Sequence, residues 1–167
     1  MTRQRVSGEI IPVSAEHSKA KGGNEEKFAA AHAIDLDPET RSYTEAGSGD
    51  KPWLKIKLGK VYCVKTVIWQ IANGEVHQNR TCSQSGCANC VGRSNSCHIT
   101  SLIVSTEEVA TGDLPAVSDC KYGDTVKLTG DKGRTHKFYV HEMLIIEKQG
   151  NCLITETSWQ GIFKLAC

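Results

Sequence analysis

No apolar run in this 167-residue chain approaches the ~20 residues that a bilayer-spanning helix requires, so membrane insertion is not expected. No charge of one sign dominates either. Twenty Lys and Arg against nineteen Asp and Glu leave a formal net charge of +1. Such a chain lacks the basic field that offsets phosphate repulsion, so nucleic acid is not an expected partner. The same balance argues against attraction to anionic lipid. Catalytic signatures are missing as well. There is no nucleophile elbow, P-loop or dinucleotide fingerprint. His141-Glu142-Met143-Leu144-Ile145 opens like a zinc-protease motif, but the second histidine is absent and the stretch reads as a strand. Thiol redox chemistry at Cys87 and Cys90 would need a βαβ context that the sequence does not offer. The expectation is a protein that is not an enzyme.

Repeats, low-complexity tracts and linkers are also lacking, and the length fits one domain over residues 1–167. Met1-Thr2-Arg3-Gln4-Arg5-Val6 has no apolar signal-peptide core, so Met1 reads as the start of a mature fragment cut from a longer precursor. Helix signals are scarce. Residues 24–33 suit a short helical turn capped by Asn24. Elsewhere the period is two. Leu54, Ile56 and Leu58 alternate with Lys55 and Lys57, as in a strand with one wet face. Residues 64–71 are β-branched and apolar, ending at the turn pair Asn73-Gly74. Residues 99–105, 125–128 and 137–146 are further strand candidates. Many strands and little helix imply an all-β antiparallel sandwich or jelly roll.

Cysteine is what the chain has in abundance. Its eight residues, Cys63, Cys82, Cys87, Cys90, Cys97, Cys120, Cys152 and Cys167, form an even set with four crowded into 82–97. That pattern implies a disulfide framework and an extracellular or secreted setting. The glycosylation sequon Asn79-Arg80-Thr81 points the same way. The alternative is a cytosolic zinc site of Cys82, Cys87, Cys90, Cys97 and His98. Only Cys87 and Cys90 have the CxxC spacing, and the other four cysteines would need a separate explanation.

Three stretches carry a family resemblance. Lys51-Pro52-Trp53-Leu54-Lys55-Ile56-Lys57-Leu58-Gly59-Lys60-Val61-Tyr62, followed by Val64 and Val67, resembles the "PWW-x-V-D-L-G-x-x-Y-x-V-x-x-V" signature of F-type lectins and their discoidin relatives. Ala33-Ile34-Asp35-Leu36-Asp37 resembles their "A-x-D-G-N", and Thr155-Glu156-Thr157-Ser158-Trp159-Gln160-Gly161 their closing strand. Order and spacing agree over about residues 8–161. The resemblance implies a galactose-binding-like jelly roll of about eight antiparallel strands. Lys57 replaces the family's Asp and Leu36 its Gly, while Ile162 to Cys167 run past its usual end.

The resemblance also implies sites. A calcium ion would take carboxylates from Asp35 and Glu156, a hydroxyl or carbonyl from Thr40, and main-chain carbonyls from His32, Asp37 and Thr155, an oxygen set suited to a hard cation. Read from the residues alone, Asp35 to Glu39 is equally an acidic surface turn. For a sugar, Tyr43 stands where the family has His, and Arg80 and Arg93 match its two arginines, whose guanidinium forks donate to vicinal hydroxyls. The bland reading makes both arginines solvated loop residues and Tyr43 a half-buried aromatic. The implied function is an extracellular, lectin-like recognition domain for a cell-surface glycan or glycoprotein. The rival is a discoidin-type adhesion module binding a protein, which the lost His and the long cysteine-rich loop favour. Glycan identity, disulfide connectivity and oligomeric state are not encoded legibly.

Overall fold

A computed structural model describes residues 8–35, 37, 39–45, 51–70, 76–80, 99–107, 120–130, 139–140, 142–148, 153–157 and 163–166. Its strands are β1 (Glu9–Ile10), β2 (Ser14–His17), β3 (Ser42–Tyr43), β4 (Trp53–Gln70), β5 (Val76–Arg80), β6 (Ile99–Ser105), β7 (Lys121–Gly130), β8 (Tyr139–Val140), β9 (Glu142–Glu147), β10 (Leu153–Thr157) and β11 (Phe163–Ala166). All pairings are antiparallel. The expected all-β architecture is the one observed.

The organising element is β4. Its first half pairs with β2 on one side and β7 on the other, and its second half pairs with β9 and β5. The main sheet therefore runs β1-β9-β4-β7-β6, with β2 and β5 joined to β4. The sequence suggested two strands, 53–58 and 64–71, where the structure has one. The reason is Gly59, whose φ of +87° lets the backbone bend without ending the strand. The β4–β7 register slips across this bend, between Lys57 and Tyr62.

The alternation at 54–58 is borne out. Leu54 and Ile56 are fully buried and Leu58 nearly so, while Lys55 and Lys57 stay partly exposed. They pack with Val67, Trp69, Val104, Val126, Leu128 and Ile145 in one core cluster. Each such aliphatic contributes about 1.5–3 kcal/mol on burial. On the opposite face, the Trp53 ring lies under Nζ of Lys55 and Lys127, 5.7 and 5.3 Å from its centroid. Lys55 also pairs with Glu16 and Glu107.

Other expectations fare unevenly. Residues 99–105 form β6 as read, and 125–128 widen into β7. Residues 137–146 divide into β8 and β9. Residues 24–33 form two separate turns. Oδ1 of Asn24 accepts Lys27 N–H at 3.0 Å and the Asn24 carbonyl accepts Phe28 N–H at 3.1 Å, so the expected cap is present. The turn stops at Ala29, whose ψ of 147° is extended, and a 3₁₀ turn follows over Ala30–Ala33. The residues beyond Gly161 add β11, which pairs with β10.

One disulfide joins Cys63 in β4 to Cys120 just before β7, with Cα atoms 5.4 Å apart. No cysteine among the described residues is free. The other six cysteines, including all of those in the zinc alternative, lie outside the described residues. Close by, Asp124 is buried and accepts Glu107 N–H at 2.9 Å and the Thr125 hydroxyl at 3.0 Å. It ties the exit of β6 to β7.

Candidate functional site

Tyr43 sits where connections gather beside the sheet. The chain leaves β2 through a 3₁₀ turn, Lys21–Gly23, made possible by positive φ at Gly22 and Gly23. It passes the Asn24 turn and the second 3₁₀ turn, loops through 34–41, and enters β3. There Ser42 and Tyr43 pair with Val140 and Tyr139 of β8, and Thr44 bridges Ala20. The Phe28 carbonyl fastens the two arms together. It accepts the Tyr43 N–H at 3.4 Å and lies 2.9 Å from Nε2 of His17. The other ring nitrogen, Nδ1, faces the Ser18 carbonyl.

This fastening brings two rings together. Phe28 and Tyr43 are half-buried, with centroids 5.2 Å apart and planes tilted by 48°. An aromatic pair of this kind contributes about 0.5–1.5 kcal/mol beyond the area it buries. Nζ of Lys21 stands 4.6 Å from the Tyr43 centroid, and Nζ of Lys27 stands 5.3 Å from that of Phe28. Tyr43 is thus one member of an aromatic pair with ammonium groups over both rings. Phe28, Lys21 and Lys27 were not singled out from sequence. A Lys-Gly-Gly turn seven residues before an isolated Phe is visible in the chain, but its meeting with Tyr43 depends on β3 folding back.

Oδ1 of Asp35 accepts Asp37 N–H at 2.9 Å, and Oδ1 of Asp37 accepts Glu39 N–H at 2.9 Å, two successive Asx turns. The Thr40 hydroxyl lies 2.6 Å from Oδ2 of Asp35 and 3.1 Å from the Asp37 carbonyl. Three of the expected calcium-binding oxygens therefore converge. These bonds among Asp35, Asp37, Glu39 and Thr40 also suit the acidic-turn reading. Nδ1 of His32 lies 3.3 Å from the Arg41 carbonyl, across the ends of this loop. Thr155 and Glu156 take places in β10, where the register with β11 shifts between Ile154 and Glu156. Among the described residues no three His, Cys, Asp or Glu side chains cluster to hold a metal.

Arg80 is the last residue of β5, in register with Thr66 of β4. Arg93 and the sequon's Thr81 lie outside the described residues with the rest of 81–98, and so does the expected meeting of both arginines at Tyr43.

At the level of sequence, no family model and no curated protein matches the chain. At the level of fold the likeness is extensive. The chain is similar to a chitosan-binding module from a chitosanase/glucanase of Paenibacillus sp. IK-5, solved with chitotriose, at a TM-score of 0.53 and 11% identity. That match covers 82% of this chain and 98% of the module. It is similar to a histidine mutant of the lectin binding domain of lectinolysin, solved with Lewis b, at a TM-score of 0.52 and 16% identity, covering 84% and 96%. A fucose-binding module of Streptococcus pneumoniae gives a TM-score of 0.50 and 13% identity, covering 84% and 98%. The fold is a galactose-binding-like β-sandwich, as the resemblance in sequence implied.

Proposed function

We propose that this chain is an extracellular, non-catalytic, lectin-like domain that recognises a carbohydrate on a cell surface or glycoprotein. The observation that carries the reading is the near-complete coverage of compact modules with this fold that were solved with chitotriose or Lewis b. The Phe28–Tyr43 pair supports it locally. Half-buried rings suit the C–H face of a pyranose, and loop ends of a rigid sandwich are where binding groups collect. Arg80 and Arg93 are the proposed donors to sugar hydroxyls, with the Tyr43 hydroxyl as a further partner.

Calcium belongs to the same proposal as a structural ion. Oδ2 of Asp35 and the Asp37 carbonyl already lie within hydrogen-bond reach of Thr40 Oγ1, an all-oxygen group that fits a hard cation. Glu156 and the carbonyls of His32 and Thr155 would complete the set. Bound calcium would supply a divalent anchor for the loop preceding β3, and through it would hold Tyr43 in place. The Thr40 hydroxyl would then turn its proton away from Asp35 and offer a lone pair.

The test is a glycan array probed with the purified protein, in calcium and in chelator. Expected is binding to a defined glycan class, weakened by chelation and by Tyr43→Ala, with the variant still folded at the assay temperature although loss of the ring pair lowers its melting temperature by about a few degrees. An array blank for folded protein in both conditions would refute the reading. Because Tyr43 stands at the family's His position, fucose itself is expected to bind weakly.

A further inference from the structure

The lysines near Tyr43 differ from Lys19 and Lys55 in how their charge is used. Lys19 pairs with Glu45 at 3.5 Å, and Lys55 pairs with Glu107 at 3.1 Å and Glu16 at 3.8 Å. Lys21 and Lys27 have no carboxylate partner among the described residues, and each stands over a ring of the Phe28–Tyr43 pair. A ring quadrupole attracts an ammonium group without cancelling its charge. Such a lysine is restrained yet remains available to an anion. The nearby carboxylates are otherwise placed. Oε1 of Glu25 accepts Ala20 N–H at 3.3 Å, Glu45 is committed to Lys19, and Glu26 is exposed on the turn. Lys21 is further fixed by its 3₁₀ turn, built on the positive φ angles of Gly22 and Gly23.

Resting on the saccharide-binding reading above, we propose that this end of the domain selects acidic glycans. A carboxylate or sulfate on the sugar meets the Lys21 and Lys27 ammonium groups, while the carbon face of the ring lies against Phe28 and Tyr43. An anion here gains two charge-assisted donors that a neutral sugar cannot use. The arrangement also suits the replacement of the family's His by Tyr43, since the ring that now stands there carries one of the two cations.

Matched neutral, sialylated and sulfated oligosaccharides, titrated calorimetrically into the whole protein, test the proposal. An exposed ion pair changes affinity by up to about fivefold, so two should give the preferred acidic member an advantage of about tenfold. That advantage should shrink in high salt. The double variant K21Q/K27Q should bring the acidic ligand down to the neutral level without changing neutral affinity, and K21R/K27R should keep the preference. Whichever acidic member gains identifies the anion as carboxylate or sulfate. Neutral and acidic ligands binding within twofold of each other would overturn the proposal and leave the saccharide-binding reading standing, as would a preference that survives K21Q/K27Q. No binding of any member by folded protein would overturn both.

Discussion

Gly123→Ala is a change of one methyl group for which the structure dictates a cost. Gly123 lies on β7 opposite Tyr62, where the end of β6 crosses close above it. A Cβ there would stand 2.5 Å from Cγ1 of Val104, 2.7 Å from the Ser105 carbonyl oxygen and 3.0 Å from the Ser105 nitrogen. The first contact is with a side chain and is relieved by rotation or truncation. The other two are with backbone, and the carbonyl contact falls about 0.7 Å inside the 3.4 Å at which ordinary packing begins. Ser105 is itself paired with Thr125, so β6 retreats only by straining its ladder. Overpacking of this kind costs about 1–3 kcal/mol. Alanine's lower entropy loss in a strand returns about 0.5–1 kcal/mol of that. The net expectation is a loss of about 1–2 kcal/mol. Urea denaturation followed by tryptophan fluorescence reads it as a lower midpoint at unchanged slope. Adding Val104→Ala separates the two contacts. The pair should cost less than the sum of the singles, because truncation removes the 2.5 Å clash, yet Gly123→Ala should still destabilise in the Val104→Ala background. A neutral or stabilising Gly123→Ala in either background would mean that β6 does not approach β7 as described.

Removing the disulfide with Cys63→Ser and Cys120→Ser should cost about 4 kcal/mol on a chain-entropy estimate for a 57-residue separation, and a melting temperature unmoved by reductant would contradict the pairing. Asp124→Ala should cost about 1–3 kcal/mol, because the Glu107 N–H and the Thr125 hydroxyl lose a buried acceptor; unchanged stability on urea denaturation would show that β6 is not anchored there. Calcium at about 100-fold above its dissociation constant should raise stability by about 2.7 kcal/mol, and Asp35→Ala should abolish the gain. A melting curve indifferent to millimolar calcium would remove the ion from the proposal.

What was legible in the sequence follows what is local in the physics. Leu54, Ile56 and Leu58 alternate with lysine because a strand repeats every two residues, and that signal needs no knowledge of the partner strands. Asn24 was readable as a cap because the N–H that its side chain accepts lies three residues away. The bend at Gly59 was half legible, since the glycine is visible but its positive φ and the continuous strand depend on β7 and β9 pairing on either side. The Phe28–Tyr43 meeting was not legible, because it joins residues fifteen apart through a carbonyl that also faces His17. Nor was the partner of Cys63, since eight cysteines allow about a hundred connectivities. The acidic loop was read both as a turn and as a cation site, and the same oxygens serve both descriptions.

The bond between Cys63 and Cys120 turns the intervening chain into a covalent ring that holds β5, β6 and the whole cysteine-rich stretch with Arg80 and Arg93. A protease that cuts once inside this ring opens a loop but releases nothing. The nicked molecule keeps its mass, apart from one added water, and its termini remain tethered to each other. A nick between 64 and 119 is therefore silent on a denaturing gel until reductant is added, when two fragments separate. The candidate binding loop can thus tolerate a cut that the same loop on an open chain could not.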